Sequence, residues 1–339
     1  MGAIYFRRIE LVTSLNELVG YKAGVALTRE QMHGFVQADE PDLLVGHDDS
    51  MLRVRSEHFD ELLCKLLYAV GNIRSPNIMP NHLQMFHRFK KDKRLFPIYL
   101  KLSEQWPKFL ERGVDEAMAK GEKAIDPRPF FNWAKKECGM EGAAMALLIC
   151  EGLNEDMHKS SLGQFRRMEW EDVADLVGLF ESEKLETPHG EFFDQRFVDF
   201  LSHNFQSIDQ INWRKFEGLT CEFFHRVGLD VKIGKGRNDD SIDARIWAKG
   251  KSATKPPLIL VQCKRQKDKV EKVVVKALYA DVIHEKAKLG LVVTSSALSP
   301  GAQKVCSARS YPVAESNRDT LKKWIGAMRT PYSGIFLGE

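Results

Sequence analysis

The chain has 339 residues, of which 43% are hydrophobic and 29% are charged, and its net charge is +3. This composition excludes an intrinsically disordered chain and allows two domains of ordinary size. No apolar run approaches the ~18 residues that a membrane span needs. The first residues contain no secretory signal, and Phe6 stands where a myristoylation motif requires Ser or Thr. We therefore expect a cytoplasmic protein without membrane contact.

The cysteines are scattered along the chain and include no C-x-x-C pair. This spacing argues against a zinc ribbon and against a disulfide framework, so we expect most of the thiols to be small core residues. The six are Cys64, Cys138, Cys150, Cys221, Cys263 and Cys306.

The small net charge hides an asymmetry between the two parts of the chain. From Gln210 to the C-terminus there are 24 Lys and Arg against 13 Asp and Glu, a balance of +11. The preceding residues hold 26 basic against 34 acidic side chains, a balance of −8. A basic domain indicates a polyanionic partner, above all nucleic acid, which we expect the C-terminal part to bind.

The first 205 residues are predicted to form a mostly helical accessory domain. Long helices are predicted over "HFDELLCKLLYAVG" and "PFFNWAKKECGMEGAAMALLIC", and the opening "IYFRRIELVTSLNE" fits either a strand or a short helix. In "EDVADLVGLF", the apolar side chains at positions 173, 176, 177 and 180 have the spacing of an amphipathic helix. Sensing, targeting and assembly all remain open as roles for this domain.

Residues 206–339 are predicted to form a second domain of alternating strands and helices. "WRKFEGLTCEFFHRVG" predicts a helix, and three strands follow at "LDVKIGKG", "SIDARIWAKG" and "PLILVQCKR". The remaining elements alternate, so the full order is α-β-β-β-α-β-α-β-α. This order predicts an α/β fold with a mixed central sheet flanked by helices on both faces.

Polar side chains end the third of these strands. In "PLILVQCKRQ", four apolar residues give way to Gln262 and Lys264, which project to one face because strand side chains alternate. A hairpin can bring Asp243, on the preceding strand, beside both of them. A carboxylate and an amide oxygen can hold Mg²⁺, and an ammonium can orient or deprotonate a water. This set indicates metal-dependent phosphodiester hydrolysis.

The span from "FEGLTCEFF" to "TLKKWI" resembles the Mrr-like branch of the PD-(D/E)XK restriction endonuclease superfamily. The matching pieces are a Phe-Glu helix, an Ile-Asp pair, a strand ending in Gln-x-Lys, a "VVTSS" strand and a helix entered through "SPGA". The resemblance implies a restriction-endonuclease-like fold in which Asp243, Gln262, the Cys263 carbonyl and Glu217 bind Mg²⁺ or Mn²⁺. It assigns Lys264 as the catalytic lysine.

The sequence departs from the family at the turn before Asp243. Asp240 and Ser241 occupy positions where the Mrr branch usually has two glycines, so the turn is expected to differ in conformation. Basic residues flank the predicted site and are expected to contact DNA phosphates. They are Lys235, Arg237, Arg265 and Lys267.

Each site residue also has a structural interpretation. Lys264 could be a lysine at a strand end whose ammonium reaches solvent, Gln262 could cap the sheet edge, and Glu217 could be a solvated helix residue. Asp243 could form an ion pair with Arg245 or with Lys264. Elsewhere, "HRFKKDKR" and the cluster of His47, Asp48 and Asp49 are interpreted as solvated surface rather than as DNA-binding or metal sites.

The resemblance implies a Mg²⁺-dependent deoxyribonuclease of the type II restriction endonuclease kind, with DNA as its partner and a role in restriction or anti-phage defence. Two alternatives remain. One is a nucleic-acid-binding module with an inactive nuclease fold, and the other is a repair or recombination nuclease acting on branched DNA. Contacts of the first domain with other defence-system proteins and homo-oligomerisation are left open.

Overall fold

The computed structural model describes residues 2–36, 42–122, 124–161, 168–236, 242–250, 255–329 and 335–336. The chain divides into two compact units, the first formed by Met1–Val173 with Pro331–Glu339 and the second by Ala174–Thr330. Among the described residues, no helix combines the length and the apolar character that crossing a membrane requires.

The first unit is mostly helical, with a few short strands. Helices are confirmed at both long segments predicted from the sequence, and the opening stretch forms a strand followed by a helix. In chain order the elements are β1 (Ala3–Arg7), α1 (Arg8–Ala23), β2 (Val25–Ala26), α2 (Arg29–Val36), β3 (Met51–Arg55), α3 (Ser56–Ala69), α4 (Asn81–Phe89), α5 (Leu95–Lys120), β4 (Ala124–Ile125) and α6 (Arg128–Lys159).

An aromatic core joins the long helices α5 and α6. Phe130 packs against Trp106 and Phe109 with ring centroids 4.9 and 5.3 Å apart, and Trp133 extends the group. Helix α6 is interrupted at Gly139, where φ is 67°. An L side chain rarely adopts this conformation, so glycine permits the kink.

The second unit contains the predicted α/β domain. Its elements are β5 (Ala174–Asp175), α7 (Gly178–Glu181), α8 (Gln195–His203), a 3₁₀ helix (Phe205–Asp209), α9 (Trp213–Arg226), β6 (Asp230–Ile233), β7 (Ala244–Trp247), β8 (Ile259–Lys264), α10 (Lys272–His284), β9 (Leu289–Thr294), α11 (Pro300–Ala308), β10 (Val313–Ser316) and α12 (Arg318–Met328). A last strand, β11 (Ile335–Phe336), returns to the first unit and pairs with β4.

Five strands form one mixed sheet in the order β10-β9-β8-β7-β6. Strands β6, β7 and β8 are antiparallel neighbours, whereas β8, β9 and β10 are parallel. Apolar side chains from β8 and β9 pack with those of α10 and α11 in one core cluster. The predicted element order and the predicted fold class are therefore confirmed.

The amphipathic helix predicted over positions 173–180 is wrong. The chain forms the short strand β5 there, followed by the single helical turn α7. Asp175 Oδ1 accepts the N–H of Val177 at 2.9 Å, and Val173 is 51% exposed rather than buried. Local side-chain-to-backbone bonding by aspartate competes with a helix, and this outweighs the apolar spacing.

The predicted domain boundary at residues 205 and 206 falls inside the second unit, between α8 and the 3₁₀ helix. Helix α8 packs on α12 and is joined to α9 by polar contacts. Arg226 Nη1 donates to Gln195 Oε1 and to the Met328 carbonyl, both at 2.7 Å. The second unit therefore includes a segment N-terminal to the predicted nuclease domain.

Candidate active site

The register of two strands places Asp243 opposite Gln262. Ala244 pairs with Val261 in the antiparallel ladder, and the Asp243 N–H continues the ladder by donating to the Val261 carbonyl at 2.9 Å. Both Asp243 and Gln262 are buried, with 9% and 4% of their surface exposed. The hairpin thus brings together two residues that are 19 positions apart in sequence.

Helix α9 adds a second carboxylate to this pair. The helix begins after Asn212, whose side chain accepts the Arg214 N–H at 2.7 Å, and its second turn carries Glu217. Glu217 is buried and shares a side-chain hydrogen bond with Asp243. The interpretation of Glu217 as a solvated helix residue is therefore wrong.

Arg214 ties Glu217 to the turn that leads to β7. Arg214 Nη1 lies 2.6 Å from Glu217 Oε2, and its Nη2 donates to the Gly234 carbonyl at 2.8 Å. The sequence interpretation did not single out this arginine. Its i, i+3 spacing to Glu217 in "WRKFEG" was the available signal, because residues three apart share a helix face.

The two neighbouring carboxyl groups share a strongly perturbed environment. Burial, and after it the negative charge of Asp243, raises the pKa of Glu217 to about 8. The Arg214 guanidinium opposes this change but does not cancel it. Glu217 therefore holds a proton at neutral pH and can donate it to Asp243.

Strand β8 provides two further oxygen atoms on the side of Asp243, the Cys263 carbonyl and Gln262 Oε1. Asp243 Oδ2 accepts the Cys263 N–H at 2.6 Å. The N–H and C=O of one strand residue point toward the same neighbouring strand, so the Cys263 carbonyl also points toward β7. Gln262 Oε1 is buried and accepts no hydrogen bond from any group that the structure describes. An unpaired buried acceptor is costly, and a ligand can satisfy it.

Lys264 ends strand β8 on the same face as Gln262 and is half-buried. Its carbonyl accepts the Thr294 hydroxyl at 2.8 Å, which fixes the strand end against β9. Within the described ranges, its ammonium forms no ion pair with a carboxylate. Arg245 pairs with Glu285 at 2.6 Å. The structure thus brings Lys264 to the site edge without an ion pair to Asp243.

The four predicted phosphate contacts differ in their surroundings. Lys235 and Lys267 are exposed. Arg265 is partly buried and donates from Nη1 to the Asp209 carbonyl at 2.8 Å, so it links β8 to the 3₁₀ helix. Arg237 lies outside the described residues, as do Asp240 and Ser241 of the turn that departs from the family pattern.

No group of three or more His, Cys, Asp or Glu side chains suited to a metal occurs in the described part of the chain. At the cluster near residue 47, Asp48 pairs with Arg29 at 2.6 Å. The oxygen ligands proposed at β8 include only two carboxylates, and their third side-chain oxygen belongs to the amide of Gln262. Two carboxylates, an amide oxygen and a carbonyl are hard oxygen ligands, which fit Mg²⁺ or Mn²⁺.

Comparison with known proteins identifies a family for the C-terminal part of the chain. Residues 208–325 match the family model Mrr_cat, described as restriction endonuclease. Among solved structures, the chain is similar to the MspJI restriction endonuclease in complex with a 27-mer oligonucleotide, with 18% identity and a TM-score of 0.30. That alignment covers 48% of this chain and 36% of MspJI, so the chain spans about a third of its length. No curated protein matches the sequence. The resemblance predicted from the sequence is confirmed by the family match: the C-terminal part of this chain is an Mrr-like restriction endonuclease domain.

Proposed function

We propose that the second unit is a metal-dependent endonuclease that hydrolyses phosphodiester bonds in DNA. One observation carries the proposal. The buried carboxyl group of Asp243 shares a hydrogen bond with Glu217, and Asp243 lies across the strand pair from Gln262, whose buried Oε1 is unpaired, at a strand end that also carries Lys264. A purely structural site would satisfy its buried acceptors within the protein, whereas this one leaves an oxygen available to a ligand.

The donors suit a divalent cation. Asp243, Gln262 Oε1, the Cys263 carbonyl and Glu217 would hold Mg²⁺ or Mn²⁺, and Glu217 would release its proton on binding. The bound cation would stabilise charge on the phosphoryl oxygens and lower the pKa of a coordinated water. Arg214 keeps the Glu217 carboxyl directed toward Asp243 through its 2.6 Å contact.

The remaining residues act on water and phosphate. Lys264 Nζ holds the attacking water at the site edge and accepts its proton or offsets the negative charge that develops in hydrolysis. Lys235 and Lys267 contact phosphates on either side of the scissile bond, and Arg237 is proposed for the same role. Arg265 supports the strand end through Asp209 and contributes positive potential there.

The Mrr family match favours DNA over RNA as the substrate and restriction of foreign DNA as the biological role. The protein is proposed to act in the cytoplasm as part of anti-phage defence. The first unit then serves to sense, target or assemble, and contacts with other defence proteins or with a second copy of the chain would be made there.

The experiment is a cleavage assay with purified full-length protein. Supercoiled plasmid, branched duplex, single-stranded DNA and RNA are incubated with Mg²⁺, with Mn²⁺ or with EDTA, and Asp243→Asn serves as the control. We expect nicking or linearisation of plasmid by the wild type in either metal, and no cleavage in EDTA or by the variant. If the protein bound DNA but did not cleave it in either metal, the alternative of a nucleic-acid-binding module with an inactive nuclease fold would be favoured. Cleavage confined to branched DNA would favour a repair nuclease.

A further inference from the structure

Helix α4 in the first unit presents an apolar stripe to solvent. Leu83 is 43% exposed and Phe86 is 39% exposed, and Met79, just before the helix, is 41% exposed. Leu83, Phe86 and Lys90 are spaced at i, i+3 and i+7, so they lie along one face of the helix. The exposed face therefore combines apolar side chains with a cation at its C-terminal end.

Most of the contacts that hold α4 in place lie outside this stripe. The adjoining face buries Phe89, which packs with Met85 and Tyr99 in the core cluster of α5 and α6. The helix N-terminus is fixed by polar bonds, because Asp156 accepts both the backbone N–H and the side-chain amide of Asn81 at 2.7 to 3.0 Å. Within the stripe, Phe86 contacts Phe96 of α5 edge to face, with ring centroids 5.8 Å apart, and the rest of its ring faces solvent as Leu83 does.

Positive charge is concentrated beside the stripe. Arg88, Lys90, Lys91 and Lys93 are all exposed within six residues. The intervening acid, Asp92, accepts the backbone N–H groups of residues 94 and 95 at 2.9 Å and so faces the start of α5. The −8 balance of the N-terminal part does not cancel this field, since charges in 0.1 M salt are screened beyond about 10 Å.

We propose that the α4 surface, formed by Leu83, Phe86, Arg88, Lys90, Lys91 and Lys93, binds single-stranded nucleic acid. Exposed aromatic and aliphatic side chains beside cations match the two parts of an unpaired strand, whose bases stack and whose phosphates attract lysine and arginine. A duplex keeps its base faces stacked and would use only the cations. The choice of nucleic acid as the polyanion rests on the proposed nuclease function of the second unit.

The alternative occupant of such a surface is an anionic membrane. The α4 helix has nine residues, and its stripe consists of two side chains within the helix and one before it. Binding of an amphipathic helix to lipid scales with its buried apolar area, which is small here. Binding to nucleic acid obtains its affinity mainly from the cations, so this surface fits a nucleic acid strand better.

The test measures binding of full-length protein to a fluorescent single-stranded oligonucleotide and to the matching duplex, by anisotropy in EDTA so that cleavage cannot occur. Phe86→Ala should weaken single-strand binding by about fivefold or more, the lower end of the range for losing one stacking platform, and leave duplex binding within twofold. Lys90→Glu combined with Lys91→Glu should weaken both and reduce the salt dependence.

Two matched controls have the same chemistry elsewhere in the first unit. Met118→Ala removes an apolar side chain that is 70% exposed, and Lys135→Glu with Lys136→Glu changes the same charge on exposed positions of α6. Neither should alter single-strand binding. The proposal would be overturned if the α4 variants bound the single strand as tightly as the wild type does. It would also be overturned if these variants lost binding to anionic vesicles while they kept their single-strand binding. Failure of the nuclease proposal would instead show as absent metal-dependent cleavage by the wild type.

Discussion

Helix α9 carries two buried glutamates with opposite surroundings. Glu222 is saturated by the protein, since its Oε2 accepts the backbone N–H groups of residues 191–193 at 2.8 to 3.2 Å and its Oε1 pairs with Arg226 at 2.6 Å. Glu217 is five positions earlier in the chain. It shares a hydrogen bond with another carboxyl group, Asp243, and pairs with Arg214.

This difference distinguishes a glutamate that stabilises the fold, Glu222, from one that is proposed to bind a ligand, Glu217. A buried carboxylate with four donors stabilises the fold and has no oxygen left for a ligand. Two carboxyl groups held together repel each other when ionised, and the neighbouring Gln262 Oε1 adds an unpaired acceptor. The buried oxygens of Glu222 are all paired within the protein, whereas in the proposed function a bound cation would pair those around Glu217.

The largest effect is expected on removing the strand-borne carboxylate. Asp243→Ala should reduce plasmid cleavage in Mg²⁺ to the background, because the proposed metal loses its central ligand. DNA binding in Ca²⁺ should survive or tighten, since a negative charge near the phosphates is lost. Single-turnover cleavage and anisotropy measure the two effects. Cleavage at the wild-type rate would place the site elsewhere.

The opposite behaviour is expected at the saturated glutamate. Glu222→Ala leaves three backbone N–H groups and Arg226 without their acceptor, so the free energy of unfolding should fall by about 3–5 kcal/mol. Glu217→Ala should cost much less, because at neutral pH the folded state must keep this carboxyl protonated while the unfolded state ionises it, and the substitution removes that cost. Urea denaturation of both variants makes the comparison. Equal losses of stability would remove the distinction between the two regions.

Lys264 tests whether the strand end is catalytic. Lys264→Ala should leave metal and DNA affinity nearly unchanged and slow cleavage by ~10²-fold, the scale of losing an acid–base or electrostatic group. Lys264→Arg should not restore the rate, because a guanidinium does not give up a proton at usable pH. Exposed Lys267→Ala is the matched control and should affect binding more than rate. A Lys264→Ala rate within twofold of the wild type would show that this lysine is structural.

The sequence predicted the features that depend on regular backbone geometry. Alternation along β8 put Gln262 and Lys264 on one face, and an antiparallel pairing brought Asp243 opposite the first of them. Features that depend on individual side-chain hydrogen bonds were missed. Arg214 reaches a carbonyl 20 residues away, at Gly234, and that contact has no periodic signal.

Side-chain contacts without a periodic signal also explain why a helix was predicted near position 175 and why the domain boundary was placed at residue 205. Apolar spacing predicted a helix there, but a side-chain bond from Asp175 and the brief strand β5 prevailed. The segment before residue 205 carries no strand-helix alternation, so composition gave no reason to join it to the C-terminal domain. Its backbone N–H groups bind Glu222, a contact that only the folded structure brings together.

A smaller effect follows from the proton on Glu217. Its pKa is raised to about 8 from an ordinary 4.5, so below pH 8 a bound cation must displace a proton. Ca²⁺ affinity should therefore rise as the pH increases from 6 to 8, by about tenfold per unit if one proton is released. Without metal, this group's contribution to stability should fall over the same range, because the folded state retains a proton that the unfolded state has lost. Calorimetric titration of the wild type and Glu217→Gln measures the dependence, which the variant should lose.

The central claim is that the unpaired acceptor at Gln262 exists for a metal, and thermal unfolding with and without Mn²⁺ tests it most directly. In metal-free buffer, Gln262→Leu should be at least as stable as the wild type, since an unpaired buried oxygen costs about 1–3 kcal/mol. In saturating Mn²⁺ the order should reverse, because the wild type gains about 2.7 kcal/mol at a hundredfold excess over Kd and the variant gains less. Equal Mn²⁺-induced shifts in Tm for the two proteins would contradict the account.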